Sequence, residues 1–572
     1  MGLFDKMTAA RGPQKEKRIS KCAQRILALH REDHKPLDTT PWELPNCSID
    51  LRQIQRKALE AIRANGGAFL PVGVGWGKTY ISILAPMVRQ KRHAIIVAPS
   101  ATIPHIRESI TLLELGFKLN TTYSIMSYGE ISKTSSSGIL EDVAYGFDPS
   151  VTMLICDEAH LLKRPESART KRVIRFLKGN PEIEVVMMSG TMTNRSLKDY
   201  SHLIAMCLRE NTPLPLERRT LQSWCEVIDV EGRCEQHFMI DVADVLKAYD
   251  STISSHDIPA TRKKKARKAF AQHLRGASGV VGTKASALGT SLLIHQINKR
   301  EAVGYSDDLK EVYKLVQETG ESPDGEVTYE SAADVARTLK QLSLGFFYSW
   351  EWPNGEIDLK WMEARSNWNR LVRHELASNA REGYDSPALI DGHCSINRHK
   401  NLSELQKAWS MWQQHKHKPA PPVKTNWIDT NVIRKAYEFA CENRLPLWYQ
   451  SKAVADMLEQ LGCFVYRSGD EIDTNNLPDV AAFSISAHGT GLNLQQYDKA
   501  VIIEPPGSGL RWEQLLGRLH RPGQLADEVN FYVLSHTPQL RRSFVNALED
   551  SRYIQDSTQQ PQKLTFAVKT KG

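Results

Sequence analysis

From about Leu51 to Ala205 the chain alternates short apolar runs with stretches of helical periodicity. "GAFLPVG", "HAIIVAPS", "VTMLICDEAH" and "VVMMSGT" each end in a turn-like or polar cluster. Continuous apolar runs of this length belong to strands covered on both faces, the rhythm of a parallel α/β sheet. The rhythm returns after about Lys424, where "LPLWYQ", "CFVYRSG", "VAAFSIS" and "KAVIIEPP" read as strands and "SKAVADMLEQLG" as a helix between the first two. The pattern therefore predicts an α/β protein with two lobes. Between them, from about Arg209 to Val423, it fades into polar, helical stretches such as "SDDLKEVYKLVQE" and "ESAADVARTLKQL", ending in the linker-like "HKPAPPVK". The expected organisation is a polar segment over 1–45, a first lobe over 46–208, a mainly helical insertion over 209–423, a second lobe over 424–542 and a tail over 543–572. No element is expected in the first or last of these, which lack periodicity.

The first apolar run leads into "GVGWGKT", Gly73–Thr79, and "TYISILAPMV" follows as a helix. A glycine loop at a helix N-terminus turns backbone N–H groups toward an anion, with Gly75 and Gly77 in the loop, Lys78 within reach of terminal phosphates and the Thr79 hydroxyl suited to Mg²⁺. The stricter phosphate-loop spacing asks for a glycine where Val72 stands, so the loop needs a second acidic site to support it. The strand "VTMLIC" supplies one by delivering Asp157 and Glu158 at its end. Asp157 suits Mg²⁺, and Glu158 is placed to orient or deprotonate an attacking water. Alone, two carboxylates are a solvated loop; after a buried strand downstream of a phosphate loop they are half of a phosphoryl-transfer site.

Composition changes the picture little. The chain has 572 residues, 41% of them hydrophobic, with 74 Lys and Arg against 66 Asp and Glu for a net charge of +8. That is compatible with a polyanionic partner and too mild to require one. No window reaches the roughly 18 consecutive apolar residues of a membrane span, and "MGLFDKMTAARGPQKEKR" has no apolar core of signal-peptide length. A soluble cytoplasmic protein is expected, of a bacterium or a virus-infected cell, or a nuclear one if the source is eukaryotic. The nine cysteines lack paired C-x-x-C spacing. Cys225, Cys234 and His237, with His393, Cys394 and His399 further on, match no standard finger, so the cysteines are read as packing residues rather than as a zinc site.

Taken in order, the motifs resemble those of superfamily two helicases and translocases, and within them the Swi/Snf-type double-stranded DNA translocases. "LRQIQ" resembles the upstream motif whose glutamine, here Gln55, reads adenine; "GWGKT" resembles the first motif, "IIVAPSATI" with Pro99 motif Ia, and "SIMSYGEIS" motif Ib. "DEAHLLKRPESARTKRV" is similar to the Swi/Snf continuation of a DEAH box, and "MSGTMTN" to the third motif, whose Ser189 and Thr191 link nucleotide and nucleic acid. In the second lobe "SAHGTGLNLQ", with Thr490 and Asn493, resembles motif V, and "RWEQLLGRLHRPGQ" resembles the Swi/Snf form of motif VI. By this resemblance Arg521 is an arginine finger, Arg518 a second phosphate or relay contact, and Gln514 a contact near the γ-phosphate. Such cations neutralise the transferring phosphoryl group only when the cleft between lobes closes. The resemblance implies two RecA-like lobes, ATP and Mg²⁺ as cofactors, and DNA as partner, duplex favoured, with single strands or RNA as the alternatives. The absence of attached modules is similar to compact bacterial or bacteriophage members. Three positions depart from the pattern: Val72, Trp76 where Leu or Ser is usual, and Glu504 where Asp is common. Trp76 either packs on its lobe or faces the adenine side, and packing is the expectation.

Two stretches fall outside these motifs. "TRKKKARK", Thr261–Lys268, reads either as a phosphate-backbone grip or nuclear address or as a solvated helix face. "SWEWPNGEIDLKWMEARSNW" carries Trp350, Trp352, Trp361 and Trp368, which are expected to pack rather than to stack bases.

Overall fold

A computed structural model describes residues 19–571 apart from 74, 134, 136, 137, 191, 194, 255, 284–289, 330, 354, 378–384, 397–402, 475, 490, 491 and 522. The protein is α/β, with two separate parallel sheets and helices on their faces. The first sheet comprises β1 (Ala68–Leu70), β2 (His93–Ala98), β3 (Thr122–Ser127), β4 (Thr152–Cys156) and β5 (Glu184–Met188) in the order β1-β5-β4-β2-β3. All its pairings are parallel. Every residue of β1, β2 and β4 is buried, as their unbroken apolar runs require.

The second sheet draws on a longer stretch of chain than the apolar rhythm indicates. Its strands are β6 (Ser291–Ile297), β9 (Leu447–Tyr449), β10 (Phe464–Tyr466), β11 (Ala481–Ser484), β12 (Lys499–Ile502), β13 (Glu528–Leu534) and β14 (Val568–Lys571), ordered β10-β11-β9-β12-β13-β6-β14. β6 comes from the stretch read as insertion and pairs along its whole length with β13, while β14 comes from the tail and pairs with β6. Neither carries a fully apolar run. β6 mixes buried, half-buried and exposed positions, and β14 is an edge strand with the polar sequence "VKTK".

The first lobe likewise runs past residue 208. Helix Pro259–Arg275 leads to residues 277–283, which lie against the free edge of β1: Phe69 N–H donates to Gly279 O at 2.9 Å and Val281 N–H to Phe69 O at 3.3 Å. The helical insertion is thus inside the second lobe, between β6 and β9. Its first part, with helices Asp307–Thr319 and Ala332–Leu342 and the antiparallel pair β7 (Phe346–Trp350) and β8 (Val423–Trp427), shares a core with the sheet, Tyr313 and Phe346 packing in one cluster with Leu447 and Val501. Its second part has a small core of its own around Trp368, Leu371 and Ile390. It reaches the first lobe through the buried Arg172–Asp385 pair at 3.1 Å.

Both termini also carry elements that polarity had hidden. Helix Lys21–Leu27 sinks Ala23 and Ile26 into the first lobe. Helix Pro538–Thr558 crosses between lobes, Phe544 packing in a second-lobe core and Tyr553 in a first-lobe core.

The basic run "TRKKKARK" lies on helix Pro259–Arg275 and is largely used internally. Arg262, Lys263 and Arg267 donate to the carbonyls of Cys234, of Val230 and Gly232, and of Ile228, while Lys265 pairs with Asp257. Cations here satisfy the open carbonyls at the end of helix Arg218–Ile228. Trp361 and Trp368 are buried, as expected for packing residues, and so are Cys225, Cys234 and Cys394. His399 lies outside the described residues.

Candidate active site

The motif residues of the first lobe gather where parallel strands end, because the carboxyl ends of such strands are where the loops converge. β1 runs to the glycine loop, β2 to Pro99, β4 to Asp157 and β5 to Ser189. In the loop Gly75 and Gly77 have φ of 81° and 76°, left-handed values that glycine adopts without a steric penalty. Gly77 begins helix Lys78–Val88 with no side-chain cap, so the first N–H groups of that helix stay open toward the loop. Thr79, in the first turn, has a half-buried hydroxyl with no hydrogen bond to a described residue.

Lys78 Nζ lies 3.1 Å from Glu158 Oε1, with both side chains largely buried. Glu158 itself is left-handed, φ 52° and ψ 47°, a conformation that costs a non-glycine residue about 1–2 kcal/mol. Its other oxygen accepts from Ser189 Oγ at 3.0 Å and lies 3.2 Å from His160 Nδ1, which also meets Ser189 Oγ at 2.9 Å. The carboxylate is therefore held between a cation, a ring and a hydroxyl. Burial works to raise its pKa, but Lys78 and His160 hold it below the ordinary range. Asp157 is buried beside that charge, and burial followed by Glu158 pushes its carboxyl up. Tyr128 Oη donates to the Asp157 carbonyl at 2.7 Å and fixes the strand end.

From the second lobe, helix Gly509–Leu519 and the turn after it bring Gln514, Arg518 and Arg521. Gln514 is buried and its carbonyl accepts from Arg518 Nε at 3.0 Å, while Arg518 Nη1 donates to Leu492 O at 2.7 Å. Burial lowers the Arg518 pKa to about 10 and Arg521 adds to this, while the charge of Glu158 acts the other way. Arg518 thus lies within the field of the first-lobe carboxylate. Arg521 is depressed by burial and then by Arg52 of the first lobe, and its guanidinium has no hydrogen-bond or ion-pair partner among the described residues. Arg52 and Lys78 of the first lobe and Arg518 and Arg521 of the second therefore act on one another or on Glu158 through their charges. Such an excess of positive charge favours an anion.

Gln55 is buried at the start of helix Gln53–Asn65, its amide nitrogen donating to Gly77 O at 3.0 Å. Pro99 is half-exposed and Asn493 exposed, and Thr191 and Thr490 lie outside the described residues. Glu504 is turned inward, accepting the N–H groups of Gln450 and Ser451 at 2.6 and 2.7 Å. Thr79 and Asp157 fit a hard cation: the hydroxyl is uncommitted, and the Asp157 carboxylate accepts the N–H of its own neighbour Glu158. Among the described residues no group of three or more His, Cys, Asp and Glu side chains forms a metal cage.

Several participants carried weaker sequence signals. Arg52, next to Gln55, donates to Gly75 O at 2.6 Å, and His160 completes the Glu158 cluster. Thr283 accepts the Gly73 N–H at 3.3 Å, and Gln560 donates its amide to Gly190 O in the third motif. The first two sit inside quoted motifs, where a polar neighbour is a readable signal; the last two act across more than 200 residues and leave no local trace. Beside the loop opens a cavity of about 670 Å³, lined among others by Arg52, Lys57, Trp76, Arg275, Thr283 and Gln559. No protein-family model matches the chain, and no curated protein matches it.

Proposed function

We propose that the chain is an ATP-driven DNA motor, hydrolysing ATP between two RecA-like lobes and moving along duplex DNA. The observation that carries the proposal is the pairing of Lys78 with Glu158 at 3.1 Å: a lysine at the head of a glycine loop with left-handed Gly75 and Gly77, joined to a strand-end carboxylate. In this reading Lys78 leaves Glu158 for the terminal phosphates, and the loss of that partner lets burial raise the basicity of Glu158. Ser189 and His160 keep the freed carboxylate aimed, and Glu158 takes a proton from the attacking water. Arg518 and Arg521 neutralise charge that grows on the transferring phosphoryl group. Thr79 and Asp157 would hold Mg²⁺, which when bound would supply Lewis-acid stabilisation of phosphate oxygens. Alternation between closed and open lobes moves one lobe along the nucleic acid relative to the other.

The test is ATP turnover by the full chain alone and with single-stranded DNA, duplex, forked DNA and RNA. Stimulation by duplex at least equal to that by single strands is expected. Stimulation by single strands or RNA alone, with separation of a long paired duplex, would make this a strand-separating helicase. Little repeated turnover under any condition would make it a nucleotide-switched binding protein instead. Among the described residues no helix is long and apolar enough to cross a membrane.

A further inference from the structure

We propose that the helical subdomain inserted between β7 and β8 is an autoinhibitory latch: it rides on the second lobe, docks on the first, and resists the lobe movement of the hydrolytic cycle until a nucleic-acid backbone displaces it. The proposal rests on the motor reading above and gives that site its regulation. The chain enters the subdomain from β7 and leaves it through β8, so by connectivity it belongs to the second lobe. At the head of this ribbon Trp361 packs edge-on against Trp350 and Trp352, with ring centres 5.7 and 6.0 Å apart, and meets Trp412 at 6.1 Å. The Arg365 guanidinium lies 5.0 Å from the Trp361 ring centre and 5.6 Å from that of Trp350. Interlocked rings stiffen the joint, and the subdomain moves with the second lobe as a lever.

The lever also grips the first lobe. Arg172 forks onto Asp385, with Nε 3.1 Å from Oδ2 and Nη2 3.2 Å from Oδ1, and Arg175 Nη1 adds a contact at 3.3 Å. Lys171 Nζ donates to Leu376 O at 2.9 Å, at the carbonyl end of helix Leu359–Ala377, where the helix dipole favours a cation. The two sides of the contact are not equivalent. Arg172 Nη1 donates to the carbonyls of Ile131 and Lys133 at 2.7 and 2.6 Å, so the first lobe seats its arginine independently of the insertion. The subdomain has its own core around Trp368, Leu371 and Ile390, and no buried apolar cluster among the described residues joins it to the first lobe. A polar seam between two self-supporting bodies is the kind that opens. While it lasts it is firm, because the Arg172 and Asp385 side chains are 2% and 3% exposed and salt screens a buried pair little. Charge identifies what opens it. Every charged side chain of helix Ala168–Gly179 is a cation, and Lys171, Arg172 and Arg175 are the ones that the latch occupies. A phosphate backbone competes for these cations with a carboxylate and a carbonyl, and gains the release of its counterions.

The experiment follows the distance between dyes at the exposed Glu182 of the first lobe and the exposed Lys407 of the subdomain, attached through unnatural amino acids in the full chain. ATP turnover of the same protein is read with and without duplex DNA. The variants are Asp385→Asn and Arg175→Glu; the second changes a side chain 51% exposed and leaves the buried pair in place, so it tests the seam without a folding defect. Each is expected to lengthen the dye distance and to raise turnover without DNA at least about fivefold, the lower end of a typical allosteric coupling. Turnover at saturating duplex should stay near that of wild type, and duplex alone should lengthen the wild-type distance. A distance that neither variant nor duplex changes would show that no latch exists. A longer distance with DNA-free turnover unchanged or lowered would make the contact a structural tie and overturn the autoinhibition. A wild-type chain that turns over no ATP under any condition would end the motor reading and the regulation with it, while the distances would still report whether Asp385 docks the subdomain.

Discussion

Lys78 and Glu158 face each other at 3.1 Å with side chains 9% and 13% exposed, so each depends on the other. Removing one partner of a buried pair strands a charge, at about 3–5 kcal/mol. Lys78→Ala should therefore abolish ATP turnover and also lower stability, which a thermal melt would record. Glu158→Gln keeps volume and hydrogen bonding while deleting the base, so it should retain nucleotide binding and lose hydrolysis. Near wild-type turnover in Glu158→Gln would remove that residue from the chemical step. Two other residues set a pH dependence remote from this site. His273 and His536 are buried, and burial lowers the pKa of each to about 4. Their folded values lie below the unfolded one, so above about pH 6.5 both states are neutral and nothing is lost. Between about pH 6.5 and about 4 the unfolded chain binds protons that the folded chain refuses, and stability falls, by at most about 3 kcal/mol for each ring. The melting temperature should drop through that window, less steeply in His536→Gln. A flat profile down to pH 4 would contradict the burial argument.

At the scale of elements, helix Gly509–Leu519 presents Gln514 and Arg518 one turn apart and delivers Arg521 just beyond its end. The Arg521 side chain has no hydrogen-bond or ion-pair partner among the described residues, so under the proposed mechanism its removal costs the fold little and the reaction much. Arg521→Ala should cut turnover by roughly 10³–10⁵, with DNA binding kept at low salt. Loss of DNA binding with intact turnover would place Arg521 on the nucleic-acid surface instead. The same comparison shows what sequence can and cannot disclose. β2 and β4 were legible because strands buried on both faces must be apolar throughout. β6 and β14 were not, since one mixes buried, half-buried and exposed positions and the other is a polar edge. The same holds for residues 277–283, which extend the first sheet by pairing with Phe69, more than 200 residues away in sequence. Lys78, Asp157 and Glu158 were legible as loop and strand-end chemistry. The contacts of Thr283 and Gln560 depend on the finished fold and on no local pattern.

At the scale of the molecule, the C-terminal segment crosses between the two lobes. Arg195 Nε lies 2.6 Å from Asp550 Oδ1, Tyr553 Oη donates to Asp229 at 3.2 Å, and Gln560 reaches Gly190. Under the proposed mechanism, lobe movement must either carry this strap or break it, which gives the two lobes a physical link besides the cleft. The track is where the proposal is most exposed to test. A motor that holds both strands by their phosphates gains affinity from counterion release and none from base identity. Binding should then be insensitive to sequence, and log K should fall with log salt at a slope of roughly 0.9 per phosphate neutralised. The mild net charge of +8 requires those contacts to be local, since it is spread over 572 residues. The run "TRKKKARK" is a poor candidate for them, because Arg262, Lys263 and Arg267 already serve carbonyls of the first lobe. Substituting the two lysines of that run without such a bond, Lys264 and Lys268, should leave the salt slope within about one unit of wild type. A third strand wound on duplex should be displaced only while ATP is hydrolysed, and Glu158→Gln should bind the same duplex without displacing it. Displacement by the Glu158→Gln protein would show that binding alone strips the strand, and the motor reading would lose its ground.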